Sequence, residues 1–280
     1  MKYFVLYNPQ AGNATENCKA KAVEERFPDA QFAYIDVTSE DGYAKLFEQK
    51  QADDGIIVCG GDGTLNRFVN AIRGKNISGK AYYYACGTGN DFLRDVGENG
   101  DTLVDIENYI KDLPVVTANG KEYAFLNGVG FGIDGYCCEV GDKLRAQSTK
   151  PVNYTAIAIK GLLFHYKPTD ATVIVDGKEY FFKKVWIAPS MNGRFYGGGM
   201  LPAPEQRREQ PKLSITIFHG SGRLKTLMIF PGIFKGEHVK KTKNVTVLQG
   251  NEITVKFTQP RTLQIDGETV ENVQEYTAKK

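Results

Sequence analysis

The stretch from Gly55 to Ile72 constrains this chain more than any other. Ile56-Ile57-Val58-Cys59 is an unbroken apolar run, which suits a strand buried on both faces of a parallel sheet. Gly60-Gly61-Asp62-Gly63-Thr64 follows at once. Leu65, Phe68, Val69 and Ile72 then recur at i, i+3, i+4 and i+7, the pattern of a helix with one buried stripe. A buried strand that turns through glycines into an amphipathic helix belongs to a βαβ unit. Its surroundings repeat the alternation, with strands expected at 3–7, 31–35 and 81–86. Helices are expected over 13–27, around 43–47, and in a short segment ending near Lys111, capped by Asp101 or Thr102. The expectation is an α/β domain over 1–115 with a mainly parallel, doubly wound sheet.

The pattern changes near Val115. Runs such as 172–175, 213–218, 245–248 and 253–257 alternate with period two. Asn119-Gly120, Asp176-Gly177, Gly250-Asn251 and Asp266-Gly267 sit between such runs as hairpin turns should. Residues 116–280 are therefore expected to form a mainly antiparallel β domain with one inserted helix near 153–164. A return of the last residues to the first domain stays open.

Composition excludes several classes. Lys and Arg total 35 against 33 Asp and Glu, a net charge of +2, which is too weak a bias for a nucleic-acid binder. The five cysteines are widely spaced, with no Cys-x-x-Cys pair, and the three histidines are scattered, so neither a zinc site nor a disulfide framework is expected. Adjacent Cys137-Cys138 reads as packing. No run reaches membrane-spanning length, and the apolar run at 3–7 is too short for a signal-peptide core. The expected setting is the cytoplasm.

Three small polar loops fall at the ends of predicted parallel strands: Asn8-Pro9-Gln10-Ala11-Gly12, Gly60 to Thr64, and Gly87-Thr88-Gly89-Asn90-Asp91-Phe92. Open α/β sheets bind ligands at that edge. Glycines let backbone N–H groups approach a phosphate, and Thr64 is placed to cap the helix that follows. Asp62 is the odd member, because a carboxylate repels phosphate unless a metal or a proton transfer is involved. Each loop alone reads equally as a plain turn; Asp91 reads as the cap of a helix starting at Phe92. Asp266-Gly267-Glu268, read alone, is a two-residue hairpin with Glu268 an ordinary strand residue.

Taken in order, these segments resemble the diacylglycerol kinase catalytic-domain family, which includes bacterial lipid kinases and sphingosine kinases. The matching segments are Asn8-Pro9-x-x-Gly12, Gly60 to Asn66, Gly87 to Arg94, Asn127 to Asp134, Gly197-Gly198-Gly199-Met200, and Asp266-Gly267-Glu268. The resemblance covers almost the whole chain. It implies an NAD kinase-like first domain, ATP with Mg2+ bound between two domains, and a lipid alcohol such as diacylglycerol as acceptor. Nucleotide contacts are implied for Asn8, Pro9, Gln10, Ala11, Gly12, Thr38, Gly60, Gly61, Asp62, Gly63, Thr64, Leu65, Asn66 and Thr88. Glu268 is implied as the general base, with Asp62 and Asp266 beside the catalytic magnesium. The implied partner is a lipid presented at the inner membrane surface, visited transiently and without a transmembrane segment. A homodimer is compatible with an exposed sheet edge.

One segment departs from the family. Where bacterial members carry Asp-Gly, whose Asp helps hold a structural magnesium, this chain has Gln210-Pro211. That second metal site is expected to be weak or absent, with Glu209 as a possible substitute. Lys235, Lys240, Lys241 and Lys243 near His238 suit either an anionic membrane or a solvated loop, and 157–166 suits either the lipid interface or a core helix. An NAD kinase-like phosphotransferase and a non-catalytic nucleotide- or lipid-binding regulator remain as alternatives.

Overall fold

The computed structural model describes residues 1–9, 23–75, 77–86, 89–99, 102–147 and 152–280. The chain divides into two compact units, Met1–Leu113 and Pro114–Lys280.

The first unit is built on five strands, β1 (Lys2–Tyr7), β2 (Gln31–Asp36), β3 (Gly55–Gly60), β4 (Ala81–Ala85) and β5 (Leu103–Asp105), in the order β2-β1-β3-β4-β5. β1 to β4 run parallel, and β5 joins the edge antiparallel. All six residues of β3 are buried, as its apolar run requires. Helix α1 (Gly42–Gln49) follows β2, α2 (Asp62–Ile72) follows β3 and α3 (Asp91–Val96) follows β4. The helix expected over 13–27 falls mostly outside the described residues; 23 and 24 are helical.

Three helix starts differ from expectation. α2 begins at Asp62, so Gly61 is its N-cap and Thr64 is a buried residue of the first turn. Thr64 packs where Gly60 lacks a side chain: a Cβ on Gly60 would lie 2.4 Å from the Thr64 Oγ1. α3 begins at Asp91 after Asn90, which adopts a left-handed conformation, and Asp91 does not cap it. Near 102, Leu103–Asp105 is a strand. The short helix α4 (Glu107–Ile110) starts only after it, where the Glu107 N–H donates to Asp105 Oδ1 at 3.0 Å. Asp101 lies outside the described residues.

The second unit carries β6 (Val115–Ala118), β7 (Lys121–Ala124), β8 (Gly128–Gly132), β9 (Thr169–Val175), β10 (Lys178–Val185), β11 (Ile187–Met191), β12 (Leu213–Phe218), β13 (Val245–Gly250), β14 (Glu252–Ile265) and β15 (Glu268–Lys279). Their pairings are antiparallel throughout. One apolar cluster draws Val116, Phe131, Val173, Ile215, Phe257 and Tyr276 from six strands, so the sheet wraps its own inner face. The last strand, β15, stays in this sheet, paired with β14 and β6.

Asn119-Gly120, Asp176-Gly177 and Asp266-Gly267 are two-residue hairpins with positive φ at both positions, the type I′ geometry that Asn-Gly and Asp-Gly favour. Gly250-Asn251 is not a hairpin. β13 pairs with β12 and β14 with β9, so the pair links strands that do not bond each other. Asp176 fills that link, its Oδ1 accepting from the N–H of Asn251 and of Glu252, each at 2.9 Å.

The inserted helix is α6 (Tyr154–Lys160), capped by the Asn153 side chain and continued by a π-helical turn, Gly161–His165. Two further helices escape the period-two reading, α5 (Ile133–Gln147) and α7 (Arg223–Ile229). α5 has a weak apolar stripe because glycines do its packing. A Cβ on Gly135 would come within 2.0 Å of the Thr262 carbonyl oxygen in β14. Backbone cannot yield as a side chain can, so Gly135→Ala should cost about 1–3 kcal/mol or more by overpacking, read as a lowered urea midpoint.

Candidate functional site

The strand order β2-β1-β3-β4 places a topological switch between β1 and β3. Ligands of open α/β sheets bind outside the carboxyl ends of strands at such a point. Asn8 and Pro9 leave β1 there, and Gly60 to Thr64 leave β3 beside them. Gln10, Ala11, Gly12 and Thr88 lie outside the described residues. Because β1 to β4 are parallel, the turns after β2 and β4 share the same sheet edge.

The first amides of α2, at Gly63 and Thr64, have no intrahelical partner and sit at the positive end of the helix dipole. Asp62 shares this turn and has a definite task. Its Oδ2 accepts from the Asp91 N–H at 2.8 Å and its Oδ1 from the Phe92 N–H at 2.9 Å. The cap of α3 is therefore a carboxylate twenty-nine residues upstream. Asp62 ties the turn after β3 to the turn after β4. Thr38 sits in the turn after β2, where its N–H and hydroxyl both donate to Asp36 Oδ1 at 2.8 and 2.6 Å. Leu65 is fully buried. Asn66 is buried too, and its carbonyl and amide oxygens accept from the Asn70 side chain.

In the second unit Asp266 opens a hairpin and clamps another segment. Its Oδ2 accepts from the Leu126 N–H at 2.6 Å, and its Oδ1 from the N–H groups of Asn127 and Gly128 at 2.8 and 2.9 Å. Glu268 follows as the first residue of β15, paired with Ile265 and half-buried.

Sequence reading gave no role to Asp134. It lies in the first turn of α5 and is buried. Burial pushes its carboxyl up to about 6, while the N–H of Gly135 and the Tyr196 hydroxyl, at 2.9 and 3.5 Å, pull the other way. Gly130 on β8 leaves room for it, since a Cβ there would lie 2.1 Å from Asp134 Oδ2. The available signal was its place, an acid at a strand-to-helix junction after Gly-Phe-Gly-Ile.

Gln210, Pro211 and Glu209 are exposed. The loop they belong to is held by protein donors. The buried Gln206 Nε2 donates to the carbonyls of Asn192, Arg207 and Lys212 at 3.3, 3.1 and 2.8 Å. Arg208 donates to the Leu126 carbonyl and to Asn127 Oδ1 at 2.7 and 2.6 Å. Lys280 Nζ donates to Asn192 Oδ1 at 2.6 Å and to the Arg208 carbonyl. Amide, guanidinium and ammonium groups occupying converging oxygens do not suit a divalent cation, which needs those oxygens for itself.

His238 is a core residue. Its ring stacks on Phe218 at 5.3 Å, its Nε2–H donates to the Pro202 carbonyl, and burial holds it below the usual imidazole range. Burial likewise raises both thiols of Cys137-Cys138, that of Cys138 to about 12, which suits packing rather than redox chemistry. Cys18 lies outside the described residues.

Glycine-walled turns feeding a helix start at a parallel-sheet switch point are an arrangement common in phosphate-binding α/β proteins, and the first unit has that arrangement. Comparison with known proteins narrows the class. Residues 2–118 match the diacylglycerol kinase catalytic domain, and residues 127–277 match the YegS C-terminal NAD kinase beta sandwich-like domain. The chain belongs to this family of diacylglycerol kinase and YegS-like lipid kinases. It is 30% identical over 195 residues to a diacylglycerol kinase of Mycobacterium tuberculosis, an alignment covering 67% of this chain and 62% of that protein. A diacylglycerol kinase of Bacillus subtilis is 22% identical over 278 residues, with 94% and 88% covered. The crystal structure of a diacylglycerol kinase from Bacillus anthracis superposes with a TM-score of 0.62 at 19% identity, covering 100% of this chain and 94% of that one. At that identity the likeness speaks for the fold. None of the described helices is long and apolar enough to cross a membrane.

The raised Asp134 carboxyl gives a signed pH dependence. Between its unfolded value near 3.8 and about 6 the native state keeps a proton that the unfolded chain has lost, so stability falls as pH rises through that window. At roughly 1.36 kcal/mol per pKa unit the penalty is complete above pH 6 at about 3 kcal/mol. Asp134→Asn should be more stable than the parent at pH 7.5 by up to that amount and lose the advantage below pH 4, measured by urea unfolding across pH.

Proposed function

We propose that this chain is an ATP-dependent lipid kinase that transfers the γ-phosphoryl group to the hydroxyl of diacylglycerol or a similar lipid alcohol. The observation that carries this reading is Glu268, a half-buried carboxylate set directly after a turn that the Asp266 clamp makes rigid. A general base must be within reach of the proton it takes and held there by its support. Glu268 accepts the proton of the lipid hydroxyl as its oxygen attacks phosphorus. The bond to the β–γ bridging oxygen breaks and ADP leaves.

The phosphates bind the opening amides of α2 at Gly63 and Thr64, with Gly60 and Gly61 keeping the approach clear of side chains. Asn8, Pro9 and Thr38 line the same sheet edge, with Gln10, Ala11, Gly12 and Thr88 as the further nucleotide contacts. Asp62 holds this cradle in register through its two hydrogen bonds to α3, and it is the residue to hold the nucleotide's magnesium. Magnesium, when bound, neutralises charge on the phosphates. Asp266, whose Oδ2 accepts a single backbone N–H, is the further carboxylate for that magnesium, and its clamp positions Glu268.

The test is turnover of the purified chain with ATP, magnesium and a panel of lipid alcohols alongside NAD. Lipid phosphorylation is expected. Glu268→Gln should lower kcat about 10²–10⁴-fold with the KM for ATP little changed. NAD phosphorylation without lipid turnover, or full activity in Glu268→Gln, would overturn the reading.

The second unit, in this proposal, needs no structural metal at 204–212. Its melting temperature should not move with EDTA or added magnesium. Gln206→Glu places a carboxylate among three carbonyl oxygens, so it should lower the melting temperature in EDTA and regain part of it with magnesium or calcium.

A further inference from the structure

The helical layer of the second unit has an outer face that neither the core nor the proposed chemistry uses. α6 with its π-helical turn and α7 pack on a shared core through Ile157, Leu162 and Ile229. The Arg223 guanidinium joins them by donating to the Leu162 carbonyl at 2.9 Å. Facing away from that core, Phe164 is 69% exposed, Leu224 73% and Met228 75%. Leu224 and Met228 are four apart on α7 and share one side of it. Exposure of single apolar residues is ordinary, but a contiguous group on joined elements marks a contact surface.

Charge says what the surface meets. The chain has 33 acidic residues, yet none falls within 143–169 or 210–236, the two stretches that supply this layer. Lys160, Lys167, Lys225 and Lys235 in those stretches are exposed. Exposed apolar side chains accompanied by lysines, on stretches that hold no carboxylate of their own, complement an anionic bilayer.

Next to Phe164 there is also a cavity of about 380 Å³, lined by Tyr136, His165, Tyr166, Lys167 and Arg261 among others. The Arg261 guanidinium lies over the Tyr166 ring, 5.5 Å from its centre, and its Nη2 donates to the Lys167 carbonyl at 3.2 Å. Among the described residues, the buried Arg261 Nε–H and the hydroxyl of the buried Tyr166 have no hydrogen-bond partner. The wall's carboxylate, Glu139, is already bonded to Lys143 and Thr262. Two unpaired buried donors beside a lysine and a histidine form a seat for an anionic oxygen group, since an unmade buried hydrogen bond is costly.

We propose that this face docks the chain on an anionic phospholipid bilayer. Phe164, Leu224 and Met228 enter the apolar region, and the Arg261–Tyr166 cavity takes the phosphate of a lipid headgroup. The test is co-sedimentation of the full chain, without ATP, on vesicles of phosphatidylcholine alone and of phosphatidylcholine mixed with phosphatidylglycerol. Binding should be at least about tenfold tighter to the mixed vesicles and weaken with added salt. Phe164→Ser, Leu224→Ser and Met228→Ser together should lose about tenfold in affinity with an unchanged melting temperature. Arg261→Gln should remove the preference for phosphatidylglycerol; if it does not fold, the exposed Lys167→Gln should reduce that preference. Equal partition of the parent chain on both vesicles, or parent-like binding by the triple variant, would overturn the proposal. Because phosphoryl transfer plays no part in the readout, failure here is separate from failure of the kinase reading.

Discussion

The recurring constraint in this fold is a turn aspartate whose carboxylate collects backbone N–H groups from another segment. Asp62 does this for the start of α3, Asp176 for the link between β13 and β14, and Asp266 for residues 126–128. Charge-assisted bonds of this kind are roughly twice as strong as neutral ones and leave little freedom in the segment they hold. Each joins places far apart in sequence, so local turn chemistry is converted into tertiary order. In the second unit the brace extends further, because the 126–127 segment that Asp266 holds by its amides is held by Arg208 through its oxygens.

The parallel sheet was legible because burial on both faces leaves an apolar run that nothing else explains; β3 is the clearest case. Three of the four turn pairs were legible because Asn-Gly and Asp-Gly favour one backbone geometry. Gly250-Asn251 misled because glycine there answers a packing need, its missing Cβ making way for Val175. α5 was hidden for a related reason. Its contacts with β14 and with Tyr154 run through Gly135 and Gly141, and glycine adds nothing to an apolar stripe. The helix starts were misread because a side chain that caps from a distant segment, as Asp62 does, leaves no local signal.

The site residues divide in the same way. Glycines that clear a strand-to-helix turn and the helix that follows are written locally, so Gly60 to Thr64 announce themselves. Asp134 is only partly legible in its vicinity, because Gly130 stands four residues before it but Tyr196 and Gln264, which complete its enclosure, come from two distant segments. The bracing of the 204–212 loop was not legible, because Gln206, Arg208 and Lys280 converge on it only in the fold.

The pair Asp266 and Glu268 shows how one turn can brace a distant segment and also present the carboxylate proposed as the base. An aspartate side chain is short, and from the first position of a type I′ turn it reaches only backbone nearby, which suits a brace. A glutamate two residues on, at the start of β15, has one more methylene and extends past the turn. Exchanging the two would put the longer chain on the brace and the shorter one at the position of the proposed base. The braced turn therefore lowers the entropy cost of holding the proposed base in place. The apolar pairs Leu263–Val270 and Ile265–Val129 keep the hairpin from sliding beneath both. A one-residue slip would turn Glu268 to the opposite face, so the register of β14 against β8 and β15 positions the proposed base as much as any hydrogen bond does.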